Sequence, residues 1–591
     1  MLDFPPRRPR RGERPGGVET RGRQQRKNRK MNPAIVITTV VLAAAVLLLR
    51  PQRAKAGDGA AATPPDPIPL ILDMVHHNPG GKRYESKFNN PETLEKMGYN
   101  GKVYFLFDSP MLAVDWAGVD PEICPEGSEY RKWVDAKAKL IDGEIAACKK
   151  AGLKIYAMSD LILFPKTLVD KYEMRKTFGD PRDPRTRKFL RLLIDQVFTR
   201  FPDYDGLVVR IGETYLHDAP YFCGKILSKK DPERTIIPLL RLLREEVCVK
   251  RGKTLIFRTW MSFDTNADAY MKVSNAVEPH ENLYISVKHC EGDFHRTHPF
   301  SKVLGMGRHK QIVEVQCARE YEGKGAYPNY IARGVIEGFE EHLATMPDNV
   351  PRSIRDVWRT GKLQGVWTWS RGGGWCGPYI KSEMWCELNA WVVARWANHP
   401  GRSEEEIFHQ YATERLGLDE KNAAKFRELA LLSADAVIRG LASSKCYMRP
   451  GWTRDQGMNW PRLPKEHRRE ILREKDESVE MWRKIVALAK EIEWPDKTTR
   501  RAAVSSSLYG LHLYRIYRAV LELRDAADRK DADAVRKWLK EYDSAWKDYQ
   551  ALPKEYPDVL ATLYEKDYKR YIKTPAAWEV EKLRAAYAEG K

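Results

Sequence analysis

From residue 64 onward the chain alternates between continuous apolar runs and amphipathic stretches. The runs at 68–75, 102–107, 154–159, 206–211, 254–259, 283–287, 311–317 and 365–369 are short and rich in β-branched residues. Strands buried on both faces read this way, because neither face needs polar residues. Between them, 134–151, 184–201 and 236–250 place apolar side chains at helical spacing. Eight such strands joined by helical crossovers predict an α/β fold, a (β/α)8 TIM barrel over residues 64–400. Beyond it the pattern is helical only, at 422–439, 468–492, 502–527 and 532–552, which predicts an α-helical C-terminal domain over 401–591. Two roles suit that domain: support for the barrel loops, or a contact between subunits of a homo-oligomer.

The beginning of the chain follows different rules. Residues 1–30 carry eleven Lys or Arg against three Asp or Glu and few apolar side chains, so they read as a basic leader without a core. Residues 33–49 are an unbroken small and apolar run, followed by Arg50, Arg53 and the small-x-small sequence Ala54-Lys55-Ala56. That order predicts export to the periplasm or the extracellular space through a cleaved signal. The alternative is an uncleaved membrane anchor, since about 17 residues is the short limit for a span. A start at Met31 would give a more ordinary signal sequence. The Ala-, Gly- and Pro-rich stretch 57–69 then reads as a linker, so that 1–63 is leader, signal or anchor segment and linker.

Charge and cysteine usage narrow the partners. Residues 1–56 contain fourteen basic and three acidic groups, so +9 of the formal +20 belongs to the remainder. A basic surface helps to gather an anionic substrate, and without a nucleic-acid motif beside it nucleic acid is not an expected partner. The nine cysteines lack metal-ligand spacing, and Cys148, Cys248 and Cys317 lie in apolar patterns where a thiol packs as a small hydrophobe. His76, His77, His289, His295 and His298 show neither H-x-x-x-H nor H-E-x-x-H spacing, so they read as polar barrel-rim residues and no metal or cofactor is expected.

The strand ends carry the chemistry. In a barrel of this kind, side chains just beyond the C-terminal ends of the strands form the site. The fourth run, D-G-L-V-V-R-I-G-E-T-Y, delivers Arg210 and Glu213; the fifth ends in Arg258 and Trp260; the sixth leads to Lys288 and Asp293; the seventh leads to Arg319 and Glu320. The eighth, G-V-W-T-W-S-R-G-G-G-W, supplies Trp367, Trp369 and Trp375. Tryptophan beside glycines at a barrel mouth suits a sugar ring, although each could equally be core. Glu213, Asp293 and Glu320 on three strand ends fit glycosidic bond hydrolysis, which needs a proton donor at the leaving oxygen and an ionised carboxylate across from it. The substrate would be a polysaccharide or its oligosaccharides. A non-catalytic surface protein that binds carbohydrate is the other class, and it could dispense with one of the three carboxylates; all three are present.

The segments V-K-H-C-E-G-D-F at 287–294 and E-V-Q-C-A-R-E-Y-E-G at 314–323 resemble the family 67 α-glucuronidases, whose pattern is V-K-N-G-P-x-D-F followed by E-x-Q-x-T-x-E-Y-x-G. Further segments fall in the same order: K-I-Y-A-M-S-D-L-I-L-F-P, R-I-G-E-T and I-F-R-T-W. The likeness covers residues 70–399 and, more loosely, the helical part. It implies an inverting exo-hydrolase that removes a terminal uronic acid from a plant or algal polysaccharide. Glu213 would be the general acid, Asp293 and Glu320 would activate water, and Arg258 with Lys288 would hold the sugar carboxylate. Three departures stand out. Val209 occupies the position of the family's lysine, with Arg210 beside it and expected by alternation on the other side of the strand. H-C-E replaces N-G-P, and the family's β-rich N-terminal domain has no counterpart before the barrel.

Overall fold

The computed structural model describes residues 64–77, 83, 85–211, 213–225, 231–259, 263–373, 380–445, 460–559 and 575–588. The leader, the 33–49 segment, Trp260 and Trp375 lie outside the described residues. Eight parallel strands close a barrel: β1 (Leu70–His76), β2 (Gly101–Tyr104), β3 (Lys154–Asp160), β4 (Gly206–Arg210), β5 (Thr254–Arg258), β6 (Leu283–Lys288), β7 (Lys310–Gln316) and β8 (Leu363–Gly372). Each strand pairs with its sequence neighbours, and β8 closes the ring on β1 with Leu72 opposite Trp367 and Met74 opposite Trp369. All eight apolar runs became barrel strands. A two-stranded antiparallel sheet, Leu163–Pro165 with Phe222–Gly224, links the loops that follow β3 and β4.

Alternation along these strands separates two cores. Leu72 and Met74, Val103, Tyr156 and Met158, Val208, Ile256, Tyr284, Ile312 and Trp367 fill the barrel interior. Val75, Ile155, Val209, Phe257, Val287 and Val313 face the surrounding helices instead. Those helices start where a short polar side chain can accept an orphan backbone N–H. Ser128 caps Glu129–Lys150, Asp183 caps Pro184–Arg200, and Asn266 caps Ala267–Ala276. After β8, the apolar helix Met384–Asn398 lies against the barrel, and no strand follows it among the described residues.

The C-terminal region consists of Glu404–Gln410, Glu420–Leu441, Arg468–Glu491, Lys497–Arg529, Ala532–Glu555 and Pro575–Ala586. It packs onto the loop after β7. Tyr327 lies edge-on to Trp482 at 5.5 Å and to Tyr514 at 5.6 Å, and its hydroxyl is 3.2 Å from that of Tyr514. The Tyr330 N–H donates to Ser433 Oγ at 3.1 Å, and Arg296 donates to the Ala434 carbonyl at 2.7 Å. Support for a barrel loop is therefore built into this region.

Asp73 on β1 is a carboxylate without solvent. It accepts from Thr368 Oγ1 at 2.6 Å, from Ser370 Oγ at 2.8 Å and from the Ser370 N–H at 3.1 Å. Burial pushes its pKa up to about 6, against these bonds and the charge of Lys102. A raised folded-state pKa adds stability at low pH that is lost as the pH rises through about 6. Asp73→Asn removes that loss, so the stability of the variant relative to the natural chain should improve by roughly 2–3 kcal/mol between pH 4 and pH 7.5. Urea unfolding midpoints at the two pH values check this; an unchanged difference would mean that Asp73 ionises without penalty.

Candidate active site

The top of the barrel interior is ionic. Below it the inward positions of the barrel centre are mostly apolar or aromatic, but near the C-terminal ends of β3 to β7 the inward residues include Asp160, Arg210, Arg258, Lys288 and Glu314, all buried. Charges in so dry a place must be paired. Arg258 donates through Nε and Nη2 to both oxygens of Glu314 at 2.7 and 2.6 Å, and Ser286 Oγ donates to the same carboxylate at 2.8 Å. Its guanidinium also lies 4.9 Å from the Trp369 ring centroid and 5.4 Å from that of Trp367. Arg210 makes the matching pair with Asp160, at 2.6 and 2.8 Å. Burial alone would lower the Arg210 pKa, but Asp160 and Glu213 outweigh it and hold the group charged.

The expected carboxylates stand above this layer. Glu213, three residues past β4, accepts from Arg210 Nη1 and from the Tyr215 hydroxyl, each at 2.9 Å. Asp160 thus takes two guanidinium nitrogens and offsets much of the charge before Glu213 shares the third. Asp293 follows β6 on a turn in which Gly292, Asp293 and Phe294 have φ of 63°, 66° and 66°. For Phe294 this left-handed conformation is strained, at a cost of about 1–3 kcal/mol. The turn folds Asp293 back onto the Lys288 ammonium, while Phe294 lies 4.8 Å from that ammonium and 5.2 Å from Trp369. Tyr321 donates its hydroxyl to the other Asp293 oxygen at 3.0 Å. Burial raises the Asp293 pKa, but the Lys288 charge and the bonds from Lys288 and Tyr321 prevail and hold it well below the usual carboxylate range.

His76, at the end of β1, joins these groups. Its ring lies 4.8 Å from that of Trp369 at a tilt of 36° and meets Phe105 edge-on at 4.6 Å. Burial and then the Arg210 charge push its pKa well below the ordinary histidine value, with Asp293 opposing and Arg258 assisting, so the ring is neutral. Its carbonyl accepts from the Gly373 N–H at 3.2 Å, and a Cβ on Gly372 would come within 1.8 Å of that oxygen. A Cβ on Gly373 would in turn lie 2.6 Å from Glu320 Oε2, so two glycines let β8 pass between His76 and Glu320. Glu320 is buried, and its N–H donates to Gln316 Oε1 at 2.9 Å.

Several expected residues hold positions that their sequence context did not reveal. Arg210 faces the barrel interior and Val209 the helices, so the two lie on opposite sides of β4 as alternation requires, with the arginine on the side of the site. Arg258 and Lys288 are both already paired with carboxylates of this chain. Trp367 is fully buried and belongs to the barrel core, with Trp369 above it toward the mouth. Arg319 pairs with Glu322 through Nε and Nη2 within the same loop. Asp160, Glu314 and Tyr321 were missed, and His76 was read only as a polar rim residue. Glu314 carried a signal, since a carboxylate inside a β-branched run needs a cation on a neighbouring strand. Of the rim histidines, His289 is buried with its pKa pushed down to about 3 by burial and Arg319, and the His295 ring lies 4.1 Å from that of Tyr321 at a tilt of 44°. Among the described residues no group of three or more His, Cys, Asp or Glu could hold a metal ion.

No protein-family model and no curated protein sequence matches the chain. Solved structures do. The chain is similar to an enzyme of glycoside hydrolase family 138 that targets the pectin rhamnogalacturonan II, at 14% identity over 84% of this chain and 63% of that one, with a TM-score of 0.52. It is also similar to CpGH84B (11% identity, 86% and 77% coverage, TM-score 0.38) and to a family 5 glycoside hydrolase from Prevotella bryantii (10%, 56% and 97%, 0.33). The first of these shares the (β/α)8 barrel fold. The chain spans 63% of that enzyme's length, and at 14% identity the likeness is one of fold.

Two outcomes follow from the pairing. Arg258→Met strands the Glu314 carboxylate in the barrel and should cost about 3–5 kcal/mol in chemical denaturation; a cost below 1 kcal/mol would show that Glu314 does not need its partner. Tyr321→Phe removes one of the bonds that stabilise ionised Asp293. Any pH-dependent step that requires this carboxylate should then have its acidic limb displaced to higher pH, with the alkaline limb unmoved.

Proposed function

We propose that the chain is a glycoside hydrolase working at the mouth of this barrel, α-glucuronidase-like, releasing a terminal uronic acid with inversion. The observation that carries the reading is the state of Asp293: a carboxylate kept ionised by Lys288 and Tyr321 in a mouth that also holds Glu213 and Glu320. Hydrolysis with inversion needs such a permanent anion to take a proton from water, and a second carboxyl group to protonate the leaving oxygen. In this reading Asp293 and Glu320 activate the water. Glu213, held by Tyr215 and by an arginine whose charge Asp160 already offsets, delivers the proton. Trp369, buried under His76 and Arg258, supports the side chains of the mouth that would meet the sugar. The barrel fold shared with a pectin-targeting enzyme agrees with a plant or algal polysaccharide as the source of substrate.

A second reading concerns the sugar. Arg258 and Lys288 each have a carboxylate of this chain as partner, which favours a neutral glycoside or a different acidic one on the same machinery. A panel of aryl glycosides separates the two: a glucuronide turned over at least tenfold faster than the glucoside supports the uronic-acid reading, and the reverse order removes it.

Glu213→Gln should leave substrate binding intact and lower kcat/KM by about 100-fold or more on a poor leaving group, but much less on an activated aryl glycoside. Equal losses on both would exclude Glu213 as the acid. Proton NMR of the first product formed from an α-linked substrate should show the β-anomer; the α-anomer would establish retention instead. An absence of turnover on every polysaccharide and aryl glycoside would leave the carbohydrate-binding class.

A further inference from the structure

A second cleft lies at the other end of the barrel. It has a volume of about 420 Å³ and is formed where the helix Pro91–Met97 meets the helix Met384–Asn398, with Glu414 and Arg415 at its edge. Met97 immediately precedes the turn into β2, and Asn398 Nδ2 donates to the Gly98 carbonyl at 2.9 Å. Because β2 enters the barrel there, the cleft opens at the N-terminal face, remote from Glu213, Asp293 and Glu320. We propose that this cleft is a binding site for a small oxyanion, of phosphate, sulfate or carboxylate type.

The charge pattern carries the inference. The buried arginines elsewhere are matched: Arg210 to Asp160, Arg258 to Glu314, Arg296 to Glu341, Arg319 to Glu322 and Arg371 to Glu383. In this cleft Arg395 makes no ion pair among the described residues, and exposed Lys96 has only the field of Glu92, one turn earlier, which Lys150 already pairs. Arg395 donates from Nη2 to the Lys96 carbonyl at 3.0 Å, its guanidinium carbon lies 5.3 Å from the Trp391 ring centroid, and both Lys96 and Arg395 line the cleft. Arg395 Nε is buried and has no acceptor. Arg415 adds a third cation, bonded at 2.8 Å to Glu387, a carboxylate that Lys87 also occupies. Glu414 is the one acidic residue lining the cleft, and Gln410 donates to it at 2.9 Å. Lys96, Arg395 and Arg415 outnumber Glu414 along the cleft, so positive charge is in excess there, and an anion between the cations lowers their repulsion. A planar guanidinium beside an ammonium suits an oxyanion, which accepts from both through different oxygens.

Titration calorimetry of the full chain with sodium phosphate and with sodium citrate, each against sodium chloride of equal ionic strength, tests the site and separates the phosphate from the carboxylate source. Saturable binding of at least one probe is expected, weakened tenfold or more in Lys96→Gln and in Arg395→Gln. Because Arg395 also holds a carbonyl, Lys96→Gln serves as the variant that keeps the fold, verified by an unchanged thermal midpoint without added anion. No saturable uptake of either probe, or undiminished uptake in Lys96→Gln, would overturn the proposal.

Discussion

A charge buried in the middle of a parallel barrel can exist only beside its opposite, and the mouth of this molecule is arranged around that constraint. Transfer of an unpaired guanidinium or carboxylate into such a medium costs several kcal/mol even after relaxation. Two bidentate pairs, Arg258 with Glu314 and Arg210 with Asp160, lie on top of the apolar interior and form a rigid ionic floor. Each pair joins residues from different strands, so the floor also fixes the register between β3 and β4 and the distance between β5 and β7. The side chains above it inherit their positions: Glu213 from the third nitrogen of Arg210, and Phe294 and His76 from Trp369, which lies against Arg258.

The same constraint explains how Asp293 is kept ionised. Burial alone would protonate it, which would suit a group that donates a proton. Lys288, the next inward residue on β6 after Ser286, reverses this by direct contact, and Tyr321 adds a donor from the loop after β7. That loop in turn is held by the helical region, through Tyr327 among Trp482, Tyr509 and Tyr514, and through Tyr330 against Ser433. The helices thus reach the carboxylate indirectly, by fixing the segment that bears Tyr321 and Glu320. On the proposed reading, a substrate must enter a mouth whose charges are already balanced, so recognition depends on hydroxyl contacts as much as on net charge.

The architecture was legible in the sequence because buried parallel strands and amphipathic helices leave different periods. All eight strand runs and the long helices at 134–151, 184–201, 422–439, 468–492 and 532–552 are present, with ends displaced by a few residues. The placement of Glu213, Asp293 and Glu320 past the ends of β4, β6 and β7 also follows from sequence, because parallel strands send all their C-terminal ends to one side. What a linear reading could not supply was partnership. Arg258 and Glu314 are 56 residues apart, and Arg210 and Asp160 are 50 apart. A cation at a strand end looks the same in sequence whether it awaits a ligand or is already paired. Which of Val209 and Arg210 faces inward was open for a related reason: counting from a resembling motif gives a position but not the face, which is set by the closed barrel. His76 entered the site only because β8 closes on β1, across most of the barrel sequence, with Gly372 and Gly373 allowing the approach. Period, length and strand-end chemistry are local properties and were determined by the sequence alone; charge pairing and the facing of side chains are long-range properties, and only the closed tertiary structure decided them.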